Sequence, residues 1–295
     1  MQYIAVASKL LAESLLSLYP TFVKNINISF GLQLWSRFIT YLLVSSIFID
    51  WNFVYASLSS GIGVLLSVMT IIHVYTSYKG FQLLEGGIAY ALFYTYPLMI
   101  LLLSGEPIKF MMIFAIIGVI LLANHTESFT GKSLSSESSS SEFSSGETGG
   151  AKMEDKKTES PSYLGYLMIF LAALTEALIY FIVRHIKTEN SWNHVFISYL
   201  LGAIAYSVMY FQDIMKITVT SNLSVSLLIN IFIGLLGYLL RFFSMSRLHA
   251  SIYAPLSYFG IVMASVYGFI FNGEAITLTK ILGILCIIVS NLGQL

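Results

Sequence analysis

Long apolar runs separated by short polar connections extend along the chain from its first residues to its last. Each run approaches the roughly 20 residues that an α-helix needs to cross the hydrocarbon core of a bilayer. Five runs precede residue 125 and five follow residue 161, so the pattern predicts an all-α membrane protein with ten transmembrane helices. The predicted spans are residues 2–23, 29–50, 57–79, 84–104, 107–124, 162–186, 193–212, 224–243, 249–271 and 275–294.

The segment between the two groups of runs, residues 125–161, has a different composition. It contains the stretch SLSSESSSSEFSSGETGG and holds 11 of the 30 charged residues of the chain. A segment with so few apolar residues cannot bury a core of its own. We therefore expect a disordered, Ser/Glu-rich linker between two five-helix domains, residues 1–124 and 162–295.

The two groups of predicted helices share matched residues in the same order. LLAESLL around Glu13 aligns with ALTEALI around Glu176, 163 residues later, and Tyr94 aligns with Tyr258 in the fourth helix of each group. Because five is an odd number, the second copy of such a repeat crosses the membrane in the opposite direction. Inverted repeats of this kind build many secondary transporters, with the substrate site near the midplane between the halves. The alternative is a chance alignment of helices with similar composition.

Gly-Glu pairs follow the fourth predicted helix of each group, in SGEPI at Gly105 and in NGEAI at Gly273. A glycine commonly ends a helix, and an acidic side chain is stabilised at the positive N-terminal end of a helix. We interpret both pairs as architectural, with each acid beside the helix that follows it in the chain.

Composition excludes several classes of function. The 295 residues are 57% hydrophobic and 10% charged, whereas a typical soluble domain is about 25% charged. The 15 basic and 15 acidic residues balance, so net charge does not indicate a nucleic-acid partner or an acidic substrate. Cys286 is the only cysteine, and neither a metal cluster nor a nucleophile elbow appears. We therefore expect no enzyme, no metal and no cofactor.

Two carboxylates lie near the middle of predicted spans. An ionisable group at this depth costs about 2.5–3.5 kcal/mol on insertion scales, so it normally faces a bundle interior or an aqueous cavity. Glu13 and Glu176 occupy the same depth in the two repeats. Their mutual repulsion and burial favour uptake of a proton, and we predict that they bind protons or substrate. The alternative is a structural ion pair, with Lys9 for the first glutamate and Arg184 for the second.

Other polar residues inside the spans are candidates for the same site. Arg37 lies inside the second predicted helix and could hold a substrate anion or neutralise the first glutamate. Tyr94 and Tyr258 match between the repeats, and their buried hydroxyl groups need a polar cavity. Arg241 lies near the end of its predicted helix, so we expect it to reach the surface. His73 could relay protons, but its place near a helix end favours an interfacial hydrogen bond.

A family resemblance rests on these same residues. Residues 254–277, APLSYFGIVMASVYGFIFNGEAIT, followed by KILGILCIIVS, resemble the end of an EamA-type repeat of the drug/metabolite transporter superfamily. Arg37, in the motif SRF, is similar to an arginine that this family has early in its second helix. LLAESLL around Glu13 resembles the first helix of the small multidrug resistance proteins, whose membrane carboxylate exchanges protons and cations. The resemblance implies a ten-helix carrier that exports or exchanges a small metabolite by alternating access.

Two functions are compatible with these features. The first is a secondary transporter of a small polar or cationic metabolite, coupled to protons through Glu13 and Glu176. The last two helices lack the paired basic residues of phosphate-carrying relatives, which disfavours phosphate-bearing substrates. The second function is a non-transporting membrane scaffold or receptor that acts through its linker, where serines such as Ser139 precede an acidic residue by three positions.

The expected partners are a small-molecule substrate, the lipid bilayer and protons, with a homodimer as an option and no nucleic acid. The protein is expected to be an integral, multi-pass membrane protein, in a membrane that the sequence does not identify. Glycosylation-type sequons at Asn27, Asn124 and Asn222 all fall on the side of the linker. They favour a cytosolic N-terminus.

Overall fold

A computed structural model describes residues 2–23, 28–84, 86–107, 109–123, 163–216, 221–273 and 275–293 of the chain. Within these ranges the secondary structure is helical, without any strand. The predicted linker, residues 125–161, lies outside the described residues.

Polar side chains cap the N-termini of two helices in the first half. Ser29 Oγ accepts a hydrogen bond from the Leu32 N–H, and the Asp50 carboxylate accepts bonds from the Asn52 and Phe53 N–H groups. Such caps satisfy amide groups that have no partner inside the helix. The helices are α1 Gln2–Val23, α2 Phe30–Ser45, α3 Trp51–Ser59, α4 Ile62–Leu83, α5 Gly86–Phe93, α6 Tyr96–Ser104 and α7 Met112–Ala123.

The second half has a similar order of helices. Asn190 caps the second of them through the Trp192 N–H, and Thr277 caps the last through the Lys280 N–H. A π-helical segment, Asn230–Leu235, continues α11 into α12. The helices are α8 Tyr163–His185, α9 Ser191–Met209, α10 Phe211–Met215, α11 Ser221–Ile229, α12 Leu236–Met245, α13 Ala250–Ser257, α14 Phe259–Asn272 and α15 Leu278–Leu292.

Some of these helices are long enough to cross a membrane. Within the described ranges, four helical stretches are long and apolar enough to cross a bilayer. Two further apolar helices, Met112–Leu122 and Leu278–Leu292, are shorter. The long stretches are Ile62–Leu83, Tyr163–His185, Asn222–Met245 and Ala250–Phe271.

The fourth and ninth predicted spans are each interrupted at the tyrosine that matches between the halves. A turn at Tyr94 and Thr95 separates α5 from α6, and Tyr258 separates α13 from α14. Pro255 precedes the second break and cannot donate a backbone hydrogen bond, which favours a break in the helix. The Tyr258 N–H instead donates to the Pro255 carbonyl, 3.1 Å away, in a tighter turn.

Glycines end α6 and α14 as the sequence predicted. Gly105 and Gly273 both adopt a left-handed conformation with φ of 65°. Residues with a side chain rarely adopt this conformation, which explains why glycine occupies both positions.

Helices of one half pack mainly against helices of the other. The principal pairs are α1 with α12, α2 with α9, α4 with α8, α6 with α13 and α7 with α15. Gly118 and Gly283 let α7 and α15 approach closely, because a Cβ added at Gly118 would lie 2.6 Å from the Gly283 carbonyl oxygen. Small residues allow this kind of contact between membrane helices. The two halves therefore share one hydrophobic core.

Gly118→Ala is expected to destabilise the protein because the added methyl group collides with the backbone of α15. An overpacked contact of this kind costs about 1–3 kcal/mol. Thermal unfolding of the purified protein in detergent should show a lower Tm than the wild type. Ile120→Ala, at an exposed position of the same helix, is the control and should change the Tm much less. Equal effects of the two variants would contradict the close contact.

Candidate functional site

A cluster of buried charges lies where α1, α8 and α12 meet. Arg241 of α12 stands between the two glutamates that the sequence matched. Its Nη2 lies 3.4 Å from Glu13 Oε1, and its Nη1 lies 3.1 Å from Glu176 Oε1. Each of the three residues is less than 5% exposed. The structure thus brings Glu13 and Glu176 together through a shared guanidinium group.

Glu13 has a second cationic neighbour on its own helix. Lys9 Nζ lies 2.5 Å from Glu13 Oε1, and the same ammonium group lies 3.7 Å from the centre of the Tyr253 ring. Lys9 has no exposed surface. Burial of an ammonium group requires such compensation, because its desolvation costs several kcal/mol. The ion pair with Lys9 that we considered as an alternative for Glu13 is therefore present.

Glu176 pairs with a histidine of the other half. His73 Nε2 on α4 lies 3.2 Å from Glu176 Oε2, and His73 Nδ1 lies 3.0 Å from the Ala172 carbonyl oxygen. Both side chains are buried. Glu176 is thus held between Arg241 on one oxygen and His73 on the other.

A cavity of about 320 Å³ ends on this cluster. Glu13, His73 and Arg241 line its inner end, and it extends toward Gln33 in the first turn of α2 and Gln82 in the last turn of α4. Gln82 is exposed. We call the side of the bundle that carries Gln33 and Gln82 the open face. The remaining lining residues are Leu16, Ser17, Arg37, Ser77, Tyr78, Phe81, Tyr90, Phe93, Tyr94 and Tyr238.

Arg37 lies in the same cavity among tyrosine rings. Its Nη2 donates to Tyr199 Oη over 3.2 Å, and its Nη1 donates to Tyr78 Oη over 3.4 Å. The guanidinium carbon lies 4.8 Å from the centre of the Tyr238 ring and 5.6 Å from that of Tyr41. These distances are typical of cation–π contacts. Arg37 is therefore surrounded by tyrosine side chains at the cavity wall.

Tyr94 lines the cavity, whereas Tyr258 lies behind it. The Tyr94 hydroxyl fills the space beside Gly260, where an added Cβ would lie 2.0 Å from the Tyr94 oxygen and 2.8 Å from Glu13 Oε2. Tyr258 is buried, and its ring centre lies 6.4 Å from that of Tyr94. Ser17 joins the same region, because its hydroxyl donates to the Gly260 carbonyl over 2.7 Å.

The opposite side of the bundle, which we call the closed face, is held by polar contacts between the halves. The Glu106 carboxylate accepts hydrogen bonds from the Ala250 and Ser251 N–H groups, of 3.2 and 2.8 Å. The Asp50 N–H donates to Asn193 Oδ1 over 2.9 Å. Between this face and the cluster, the side chains of Lys9, Tyr96 and Tyr253 have no exposed surface.

The position of Glu106 differs from our expectation. We expected its carboxylate beside the next helix in the chain, but α7 begins only at Met112. The N-terminus of α13 lies nearer because α13 packs against α6. Burial opposes ionisation of Glu106, but the N–H groups of Ser251 and Ala250 and the nearby His249 outweigh this effect and lower the pKa of Glu106.

The sequence predictions for Arg241 and His73 were wrong. Arg241 does not reach the surface, and His73 is not interfacial; both are buried at the centre of the site. Each lies inside an apolar run, and the high cost of such a position was the signal that could have identified them. Arg184 does not pair with Glu176 and instead donates to Tyr180 Oη and to the Leu248 carbonyl.

Within the described residues, no group of three His, Cys, Asp or Glu side chains could hold a metal ion.

Arg241→Met is expected to destabilise the protein because it leaves two buried carboxylates without their shared cation. Removal of one partner from a buried ion pair costs about 3–5 kcal/mol. The loss in Tm should shrink as the pH is lowered, since protonation of a carboxylate relieves the repulsion. Arg247→Met is the control, because Arg247 lies in the loop after α12 and donates its hydrogen bonds to Ser246 Oγ and the Glu189 carbonyl, outside the cluster. Identical Tm values for both variants at neutral pH would contradict the central role of Arg241.

Comparison with known proteins gives one structure of similar fold and one family match. One solved structure, described as "Crystal structure of protein", aligns with a TM-score of 0.68 at 14% identity, over 97% of this chain and 96% of that chain. At this identity the likeness shows the fold alone. No curated protein matches the chain. Residues 163–293 match the EamA-like transporter family, and with the apolar helices they indicate an integral, multi-pass membrane protein. The resemblance to EamA-type transporters found in the sequence is therefore confirmed by the family match over residues 163–293.

Proposed function

We propose that the protein is a secondary transporter that carries a small polar or cationic metabolite by alternating access. Its fold is proposed to be a ten-helix inverted repeat of two five-helix domains, residues 1–124 and 162–295, joined by the linker. One observation carries this proposal. The cavity extends from the open face to a charge cluster built by both halves, and the closed face beyond it is joined by contacts between the halves.

Alternating access follows from this asymmetry. A carrier exposes its central site to one side of the membrane at a time, and inverted repeats achieve this by exchanging the conformations of their two halves. The packing of α1 against α12 and of α4 against α8 supports this proposal, because the cluster lies between helices of the two halves. In such an exchange, the Glu106 contacts at the closed face would break and the cavity would close at the open face.

The lining of the cavity supports a small substrate with a positive group, including a zwitterion. Glu13 contributes a carboxylate at the inner end, and the rings of Tyr78, Tyr90 and Tyr238 contribute aromatic surface. Aromatic faces and a carboxylate both stabilise a cation. Arg37 and Arg241 on the same wall would bind the carboxylate of a zwitterion.

We further propose that the charge cluster couples transport to protons, with Glu13 and Glu176 as its acidic members. If the N-terminus is cytosolic, as the sequons suggest, the closed face that carries the start of α1 faces the cytosol. The cavity would then open toward the other side of the membrane. The substrate and the proton would then bind in the same buried region of the protein.

Transport can be tested with a variant that fills the cavity. A screen of small polar metabolites by thermal shift on the purified protein should find compounds that raise the Tm, and proteoliposomes should take up those compounds. Ser77→Trp should abolish both effects because it places an indole ring in the cavity. Ser60→Trp is the matched control: Ser60 is exposed, and its hydroxyl, like that of Ser77, donates to the carbonyl three residues earlier.

A chain that lacks residues 128–160 should still transport those compounds if the protein is a carrier. Binding without uptake by the wild type, or full uptake by Ser77→Trp, would contradict transport through this cavity. A protein without uptake that loses a binding partner on removal of the linker would instead be the scaffold or receptor that the sequence left open.

The contact between Glu106 and α13 should hold the closed face together. Glu106→Ala is expected to increase amide hydrogen exchange in residues 250–257, since it removes a helix cap worth about 0.5–2 kcal/mol. The pKa of Glu106 is lowered in the folded protein. Its stabilisation is therefore complete above the unfolded-state pKa and is lost as the pH falls through the lower folded-state pKa. Wild-type protection of residues 250–257 should accordingly decrease in acid.

Glu189→Ala is the control for this measurement, because it removes the same charge from the closed face outside the cap. It should leave the exchange of residues 250–257 unchanged. An equal increase in both variants would mean that the Glu106 carboxylate does not hold α13.

A further inference from the structure

We infer that the exchangeable proton of the site is held between His73 Nε2 and Glu176 Oε2, and that His73 connects it to the cavity. This inference rests on the proposed transport function and assigns its proton to one position. It also gives the two glutamates different roles, although the sequence repeat makes them equivalent.

The tautomer of His73 follows from its two contacts. A carbonyl oxygen only accepts hydrogen bonds, so the nitrogen that faces the Ala172 carbonyl at 3.0 Å, Nδ1, carries a hydrogen. In a neutral imidazole the other nitrogen, Nε2, then has a lone pair and no hydrogen. This lone pair faces a carboxylate oxygen of Glu176 at 3.2 Å.

Two acceptors at hydrogen-bonding distance repel each other when no hydrogen lies between them. One proton removes this conflict, either on Nε2 as imidazolium or on Glu176 as a carboxylic acid. Both nitrogens of His73 and both oxygens of Glu176 lie in a buried region, where an unsatisfied contact is costly. The pair is therefore built to hold one proton in common.

Glu13 lacks the corresponding arrangement. Its Oε1 lies within 2.5 Å of Lys9 Nζ and within 3.4 Å of Arg241 Nη2, and both of these groups are donors. Oε1 of Glu13 therefore faces hydrogen-bond donors, whereas Oε2 of Glu176 faces a second acceptor. At the position matching Lys9, the second half has Ala172, whose carbonyl instead orients His73.

The cavity provides the route for the proton. His73 lines the cavity, whereas Glu176 is not among its lining residues. A proton from solvent in the cavity therefore reaches Nε2 of His73 and the facing oxygen of Glu176, and it returns by the same side chain. A hydronium ion in the cavity gives up one proton and becomes water: one O–H bond of the hydronium ion breaks, and one N–H bond on His73 or O–H bond on Glu176 forms.

The charged groups around His73 and Glu176 determine how the bound proton changes the net charge of the cluster. Lys9 and Arg241 already match the two carboxylates in number, so the proton adds a positive charge to a buried cluster. That charge would repel a cationic group of a substrate beside Glu13. Binding of the proton would therefore favour release of the substrate, and binding of the substrate would favour release of the proton. The charged and titratable groups that face the pair from other helices include Glu13, through the shared Arg241, together with Lys9, Arg37, Tyr96 and Tyr253.

Nitrogen-15 NMR of histidine-labelled protein in liposomes tests this assignment without a substrate. The His73 signal is identified by its loss in His73→Gln. Between about pH 5 and pH 9, where histidine commonly titrates, Nδ1 should stay protonated while Nε2 changes from hydrogen-bonded to free as the proton leaves. In Glu176→Gln this change should move to lower pH by about one to three pH units or disappear, because the carboxylate no longer attracts the proton.

His194→Gln is the matched control, since His194 is also fully buried but lies on α9. It should leave the titration of His73 unchanged. If His73→Gln does not fold, a chain with His125, His185, His194 and His249 replaced by Gln retains His73 as its only histidine and gives the same signal.

A His73 Nε2 that has the same protonation state throughout the pH range would overturn the inference. So would a titration that Glu176→Gln does not alter. Either result leaves transport itself untouched, because uptake by the wild type and its loss in Ser77→Trp are measured separately. Conversely, a titrating pair in a protein that shows no uptake would contradict the transport function and not the proton site.

Discussion

The guanidinium group of Arg241 between two buried carboxylates is the interaction on which the rest of the site depends. It joins α1, α8 and α12 at one point and so connects the first half of the chain to the second. Buried charges are tolerated only when each has its partner, and their geometry is consequently well defined. Lys9 and His73 complete the arrangement from opposite sides. The cluster holds the halves in register, and any movement of one half must exchange these contacts.

The cluster also separates two very different surroundings. Toward the open face lies the cavity, with polar and aromatic side chains that leave room for a small molecule. Toward the closed face lie side chains without exposed surface, followed by hydrogen bonds between the halves. The same charges therefore form the inner end of the cavity and the adjoining end of the closed side of the bundle. A substrate that altered the cluster would act on both at once.

Much of this architecture could be predicted from the pattern of apolar residues. The predicted first and sixth spans agree closely with α1 and α8, and the repeat indicated that Glu13 and Glu176 belong together. The buried positions of Arg241 and His73 were not predicted, because each residue was placed in the membrane only by its distance from the end of its own predicted helix. Their partners lie on helices far away in the chain, and no periodicity relates them. The breaks at Tyr94 and Tyr258 were missed because an apolar run gives no sign of an interruption, although Pro255 was a clue.

These breaks have a mechanical consequence for the closed face. Glu106 follows α6, and the amides that it binds begin α13, so the contact joins two short helices that each end or begin at a break. The neighbouring segments α5 and α14 lie on the other side of Tyr94 and Tyr258. In the proposed transport cycle, α6 and α13 would therefore tilt about these tyrosines while α5 and α14 keep their places. A gate of this kind would open by bending at two joints, and it would not require the whole bundle to rock.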